Sequence, residues 1–227
     1  KYSNQCSLEA VKANLAWDYW IESGRMPGDA NILLASVDTG VDYTHPDLLE
    51  NIWVNQGEIP DWAFEALEVD SNDDDYVSAL EINSFMQTVG DLNGDGEINL
   101  RDAFFRESPF IDEIDDDDNG YVDDIIGYDV SGKSDNVNLP NPDPDPMPKL
   151  GVSNSDTWNH GTHVAGILAA VTNNNMGIAS TMFNGSIMCV KSSNDGDSSD
   201  DLLIHNGYEG IIYAAKAGFY AEKHTII

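Results

Sequence analysis

The sequence predicts an α/β fold, a parallel sheet with crossover helices, and three observations predict it. Two short apolar runs, Ile32-Leu33-Leu34-Ala35-Ser36-Val37 and Ile187 to Val190, lack the alternation of a half-buried strand. Such runs suit parallel strands covered on both faces. Segments with apolar residues at helical spacing lie between and after them, and Thr225-Ile226-Ile227 reads as a third strand. Strand, helix, strand, helix, strand is the order that winds helices across a parallel sheet.

Each element has its own local reason. From Leu8 to Trp20, apolar side chains at Leu8, Val11, Leu15, Ala16, Tyr19 and Trp20 fall near the 3.6-residue period of one amphipathic helix. The first strand is ended by Asp38-Thr39-Gly40. His160 to Ala170 places Val164, Ile167 and Leu168 at helical spacing. Leu202 to Ala217 predicts a further helix through Leu203, Ile204, Ile211, Ile212, Ala214 and Ala215, weakened in its first half by Gly207 and Gly210. Residues 135–148 carry five of the nine prolines without apolar periodicity, so they predict an extended loop.

The chain of 227 residues has room for one sizeable α/β core plus an insertion. It carries 41 acidic and 10 basic residues, a net charge of -31. That charge repels nucleic acid and anionic membrane, and neither is expected as a partner. Apolar residues at 41%, with five Trp and nine Tyr, exclude a disordered acidic tail. No apolar run approaches the roughly 18 residues of a membrane span, and the N-terminus lacks a basic-then-apolar leader, so any secretory signal is expected to be gone already. Cys6 and Cys189 are too few for a disulfide framework and are compatible with one bridge or two buried thiols.

Charge is concentrated in one region. Residues 61–129 hold 22 of the 41 acidic side chains, with Arg101 and Arg106 as the basic ones. That density repels itself unless cations neutralise it, which marks an insertion or a boundary.

Within it, Asp91, Asn93, Asp95 and Asp102 occupy positions 1, 3, 5 and 12 of a twelve-residue loop, with Gly96 at position 6. That is the EF-hand calcium pattern with Asp in place of the final Glu, as in dockerin-like loops, and Glu97 would contribute its backbone carbonyl. Twenty-one residues earlier, Asp70, Asn72, Asp74 and Glu81 repeat the pattern with Asp75 at position 6. Asp115, Asp117, Asn119 and Tyr121, followed by Asp123, make a third cluster, but its position 12 is Ile126, which excludes a regular EF-hand. A solvated acidic turn is the bland reading of each.

Two further sites carry chemistry. Asp38 ends an apolar strand, where open α/β sheets collect their reactive groups. Read alone, it is equally an Asp starting a turn before Gly40. A lone Asp-Thr-Gly among α/β patterns fits an aspartic protease badly, because that chemistry pairs two such loops. Asn159-His160-Gly161-Thr162-His163-Val164-Ala165-Gly166 opens a helix with two imidazoles three residues apart. Zinc sites on helices usually pair histidines four apart with a Glu, which is missing here. His163 reads as a satisfied buried histidine and His160, at the exposed helix start, as the group for proton transfer. A metallohydrolase using both histidines is the alternative.

The stretches ILLASVDTGVDYTHPDL and NHGTHVAGILAA resemble the aspartate and histidine blocks of subtilisin-like serine proteases, the subtilases, in that family's order of Asp before His. The resemblance runs from about Gln5 to Asn55 and from Asp115 to Ile227. It implies a subtilisin-like parallel sheet, with Asp38 and His160 as the orienting anion and general base of an Asp-His-Ser triad, and His163 as the family's structural histidine. It divides the chain into residues 1–60 and 113–227 of a catalytic domain, with residues 61–112 as an acidic EF-hand-like insertion. The family's Gly-Thr-Ser nucleophile block and oxyanion Asn have no counterpart in these residues, which implies the N-terminal part of a protease, inactive alone.

The stretch IDDDDNGYVDDIIGYD is similar to an acidic loop before the His block of many bacterial subtilases, where calcium is expected. Asp47, with Asn173-Asn174-Asn175 and Gln5, resembles the family's strong calcium site. The implied protein is a secreted, calcium-stabilised endopeptidase acting on protein or peptide substrates. The alternative from another class is a non-catalytic calcium-binding adhesion or docking module on a degenerate protease scaffold.

Overall fold

Parallel pairing starts from the first apolar run. In the computed structural model, which describes residues 5–60, 62–63, 68–131, 142–151, 155–197 and 204–227, that run is strand β1, Ile32–Asp38. The other strands are β2 (Gly127–Asp129), β3 (Ser186–Lys191) and β4 (His224–Ile226). They form one all-parallel sheet in the order β2-β3-β1-β4. Leu33 pairs with Ser186 and Asp38 with Lys191, so the two longest strands run in register over six residues. Strand β2 was not legible in the sequence, because its three residues, Gly-Tyr-Asp, make no apolar run.

Helices cover both faces. The described helices are α1 (Cys6–Ala10), α2 (Ala13–Glu22), α3 (Ala79–Val89), α4 (Ser155–Trp158), α5 (His160–Ala169) and α6 (Gly207–Tyr220). Strand parity sorts the core into two layers. Ile187 and Cys189 of β3 pack with Ala165 and Ala169 of α5. Met188 and Val190 turn the other way and pack, with Leu33 and Ala35 of β1, against Tyr213, Ala214 and Ala217 of α6. The same parity points Asp38, two pleats from Leu34, towards the face of α5.

The structure corrects the expected N-terminal helix. The chain turns at Lys12, whose φ is 60°, so two helices replace one. Leu8, Ala13 and Trp17 are buried, with the Trp17 ring 5.3 Å from that of Phe183, while Val11, Leu15, Tyr19 and Trp20 face outward. In α6 the buried side chains are Tyr213, Ala214 and Ala217 rather than Ile211 and Ile212, and the helix starts at Gly207; residues 202–203 lie outside the described residues. Both cysteines are free, Cys189 buried but Cys6 exposed. The expected Pro-rich loop is irregular over its described part, residues 142–148; residues 135–141 lie outside the described residues. Among the described residues, no helix is long and apolar enough to cross a membrane.

The acidic region does not form a core of its own. Ser78 caps α3 in a reciprocal box with Glu81, and a 3-10 turn follows at Leu100–Phe104. Ile82, Met86, Leu100, Phe104 and Phe110 are fully buried and join one apolar cluster with Val41, Tyr43, Leu48 and Ile125. The ring of Tyr43 meets that of Phe104 edge to face, centroids 5.3 Å apart. Truncation there should therefore destabilise both regions together. We expect Phe104→Ala to cost about 3–5 kcal/mol in urea unfolding, with the fluorescence and circular-dichroism transitions shifting as one. Two separated transitions would contradict a shared core.

Candidate active site and cation loops

Asp38 and His160 come together across the sheet end. Nδ1 of His160 lies 2.7 Å from Oδ1 of Asp38, although 122 positions separate them in the chain. The carboxylate is mostly buried, at 15% exposure, while the imidazole is 64% exposed. The same carboxylate oxygen accepts the Thr39 N–H at 2.7 Å. Thr39 ties strand to helix directly: its hydroxyl donates to the Trp158 carbonyl at 2.9 Å and accepts the Gly161 N–H at 3.0 Å. Gly161 is required for this approach, since a Cβ there would collide with the Gly40 carbonyl. A 2.7 Å bond to a carboxylate places the proton on Nδ1, leaving Nε2 as the ring's acceptor.

His163, expected to be buried, is exposed on α5. It lines an apolar groove with His45, Leu48, Ile167 and Ile178. Both histidines are exposed, and among the described residues no cluster of potential metal ligands includes either.

The three acidic loops share one local geometry. At position 6, Asp75, Gly96 and Gly120 all have positive φ, at 61°, 91° and 94°. In each loop that residue's N–H donates to the position 1 carboxylate, Asp70, Asp91 or Asp115, at 2.9–3.0 Å. The position 7 N–H of Tyr76, Glu97 or Tyr121 likewise donates to the side chain at position 5, Asp74, Asp95 or Asn119. Position 12 closes the first two loops. Glu81 accepts from Ser71 and Ser78, and the fully buried Asp102 from Leu92, Asn93 and Asn99. Asn72 is exposed in its loop, and Asn93 accepts the Asp95 N–H.

The third loop recruits from outside its own sequence. Asp123 turns back to accept the N–H groups of Asp112 and Glu113, and burial pushes its carboxyl up to about 6. Its neighbour Asp124 joins the half-buried Asp117 and the distant, buried Glu58 in a carboxylate cluster, with ligand oxygens within 4.8 Å of one another. The side-chain amides of Asn55 and Asn119 donate to both Asp117 and Asp124. Burial, with Asp124 beside it, pushes Glu58 up to about 9, and burial also holds Asp124 well above the usual carboxylate range. Glu58 is 1% exposed; Oε1 accepts the Asp117 N–H, while Oε2 has no hydrogen-bond partner among the described residues. An oxygen-rich cluster with an unpaired buried carboxylate oxygen fits a hard divalent cation. Glu58 and Asp124 were missed in the sequence; the one available signal was Ile126, which left the loop short of a carboxylate.

Asp47, 3% exposed, sits against the loop after α5. It accepts from the Asn174 amide at 2.6 Å and the Ile178 N–H at 2.9 Å. Gly177 leaves room for it, because a Cβ would strike the carboxylate. Gln5 joins the same loop by exchanging two hydrogen bonds with the Ala179 backbone.

Fold and pair together define an α/β protein with an aspartate-oriented imidazole at the carboxyl end of a parallel sheet, an arrangement that recurs in Ser-His-Asp hydrolases. The model of the subtilase family, Peptidase S8, matches residues 29–220, and the chain belongs to that family. It is similar to subtilisin-like protease 1 of Plasmodium berghei (strain Anka), 28% identical over 162 residues that cover 70% of this chain and 16% of that protein. Its likeness to subtilisin-like protease 1 of Plasmodium falciparum (isolate 3D7) is 27% over 155 residues, covering 68% of this chain and 13% of the relative. Thermitase of Thermoactinomyces vulgaris is 48% identical over 59 residues, 26% of this chain and 20% of that protein. The chain matches at most 20% of the length of these relatives.

The raised carboxyls set a pH dependence. Glu58 ionises at its ordinary value near 4.5 when unfolded but at about 9 when folded, so the unfolded state binds fewer protons in between. Its contribution is fully present below that lower value and is lost as pH rises through the window. A cation displacing the proton removes the loss. The gap between melting temperatures in calcium and in chelator should therefore widen from about pH 5 to about pH 8. A gap that is constant or absent would contradict cation binding by this cluster.

Proposed function

We propose that this chain supplies the aspartate and histidine of a subtilisin-like serine endopeptidase that hydrolyses peptide bonds. The observation that carries the reading is the 2.7 Å contact between Asp38 and His160 at the carboxyl end of the sheet. With its proton held on Nδ1, His160 uses Nε2 to take the proton from a serine hydroxyl as it attacks the peptide carbonyl, then returns it to the leaving amine. Asp38 keeps that tautomer and stabilises the imidazolium formed in between, offsetting the unfavourable field of the α5 N-terminus. The exposed imidazole is open to both substrate and nucleophile. These residues contain no Gly-Thr-Ser block to supply the serine, and in this reading they do not hydrolyse peptide bonds by themselves.

In this reading residues 61–112 are an acidic insertion between two parts of the catalytic domain, residues 1–60 and 113–227. Calcium is held by the loops beginning at Asp70, Asp91 and Asp115 and at Asp47. Bound there, it neutralises clustered carboxylates and stabilises the fold by mass action. In this reading the protein is secreted, as its likeness to subtilisin-like proteases supports, and extracellular calcium keeps these sites loaded.

A fluorophosphonate, which labels only an activated serine, tests the catalytic assignment on the full-length gene product. The wild type should be labelled. His160→Ala should slow labelling by at least about 10³-fold, and Asp38→Asn by roughly 10⁴-fold. Labelling at an equal rate in His160→Ala would contradict the base assignment, and an unlabelled wild type would favour the non-catalytic module.

A further inference from the structure

Tyr43 stands five residues beyond Asp38, and its surroundings connect the aspartate loop to the acidic insertion. Its side chain is fully buried and its hydroxyl donates to Oδ1 of Asp145 at 2.7 Å. Burial, reinforced by Asp145, holds the phenol well above its ordinary value, so it remains a donor. Asp145 is itself buried and fixed, since Oδ1 also accepts the Met147 N–H and its own N–H goes to Asp143. The next residue, Pro146, accepts the Val41 N–H at 3.0 Å, three positions past Asp38. The 143–147 segment therefore grips the aspartate loop at both Val41 and Tyr43.

The insertion holds that grip from the other side. Phe104 packs edge to face on the Tyr43 ring. Arg101 sets its guanidinium 3.8 Å from Asp145 and 3.8 Å from Asp95. Nothing in an Asp-His pair requires an acidic insertion, yet this one carries Phe104 and Arg101, which meet Tyr43 and Asp145 on the far side of the aspartate loop.

We propose that Tyr43 and Asp145 are positioning residues for the Asp38–His160 pair, anchored by Phe104 and Arg101 so that the acidic insertion buttresses the catalytic aspartate. The proposal rests on the protease reading. Tyr43→Phe deletes the hydroxyl and keeps the ring, loosening the Asp38 loop without removing a reacting group. A small misplacement of a catalytic group reduces turnover more than substrate binding.

The test is steady-state hydrolysis of a chromogenic peptide by the full-length gene product. Tyr43→Phe and Phe104→Leu should lower kcat about tenfold with KM within about twofold. The acid limb of the kcat/KM pH profile should move to lower pH, because a weaker Asp38 contact stabilises the imidazolium less. Ala214→Gly in α6, on the opposite face of the sheet, is the control for a comparable loss of stability and should retain wild-type kcat. Full kcat and an unshifted profile in Tyr43→Phe would overturn the proposal, as would an equal loss in Ala214→Gly. A wild type that neither hydrolyses peptide nor takes up fluorophosphonate would remove the protease reading itself; a labelled wild type with an insensitive Tyr43→Phe removes the buttress alone.

Discussion

One hydrogen bond between a carboxylate and an imidazole organises the chemistry of this molecule. Asp38 and His160 are brought to 2.7 Å by three independent features. Strand parity turns Asp38 towards α5, the in-register pairing of β1 with β3 fixes where β1 ends, and Gly161 lets the helix start touch the strand. Thr39 then binds both sides with its single hydroxyl. Loss of any one of these would leave two ordinary polar residues on one surface.

The second constraint is electrostatic. The described part of the acidic region is folded against the same apolar core as the aspartate loop, while most of its carboxylates stay at the exposed surface. Backbone N–H groups answer many of them: Asp102 and Glu81 each gather several, and the position 1 aspartates collect the turn amides. Glu58 and Asp124 are different, because burial raises both carboxyls well above their ordinary range, with Asp124 adding to the effect on Glu58 and Asp117 to that on Asp124. The proposed calcium would take over from protons there. Insertion and aspartate loop then form one mechanical unit through Tyr43 and Phe104.

Much of the framework was legible because it rests on local pattern. The apolar runs at Ile32 and Ile187 are strands, the histidine block is a helix, and Asp38 meets His160 as the family resemblance implies. What escaped was set by tertiary contact. Leu8 to Trp20 has helical periodicity throughout, but the buried face is chosen by Phe183 and Ala179, and the chain breaks at Lys12 to present it. His163 sits in a helix whose period fits burial, yet it lies at a groove rim. Glu58 looks like a surface residue after Asn55-Gln56-Gly57, and only the folded chain shows it reaching the third acidic loop. Loop patterns are local and readable, whereas the ligand a loop borrows from elsewhere is not.

Catalysis by this pair requires Asp38 to fix the proton of His160 on Nδ1. Nitrogen-15 NMR of histidine-labelled protein at neutral pH measures the tautomer directly. The expected result is a protonated Nδ1, an unprotonated Nε2 and a far-downfield Nδ1 proton that disappears in Asp38→Ala. A His160 ring carrying its proton on Nε2, with a spectrum indifferent to the loss of Asp38, would contradict it.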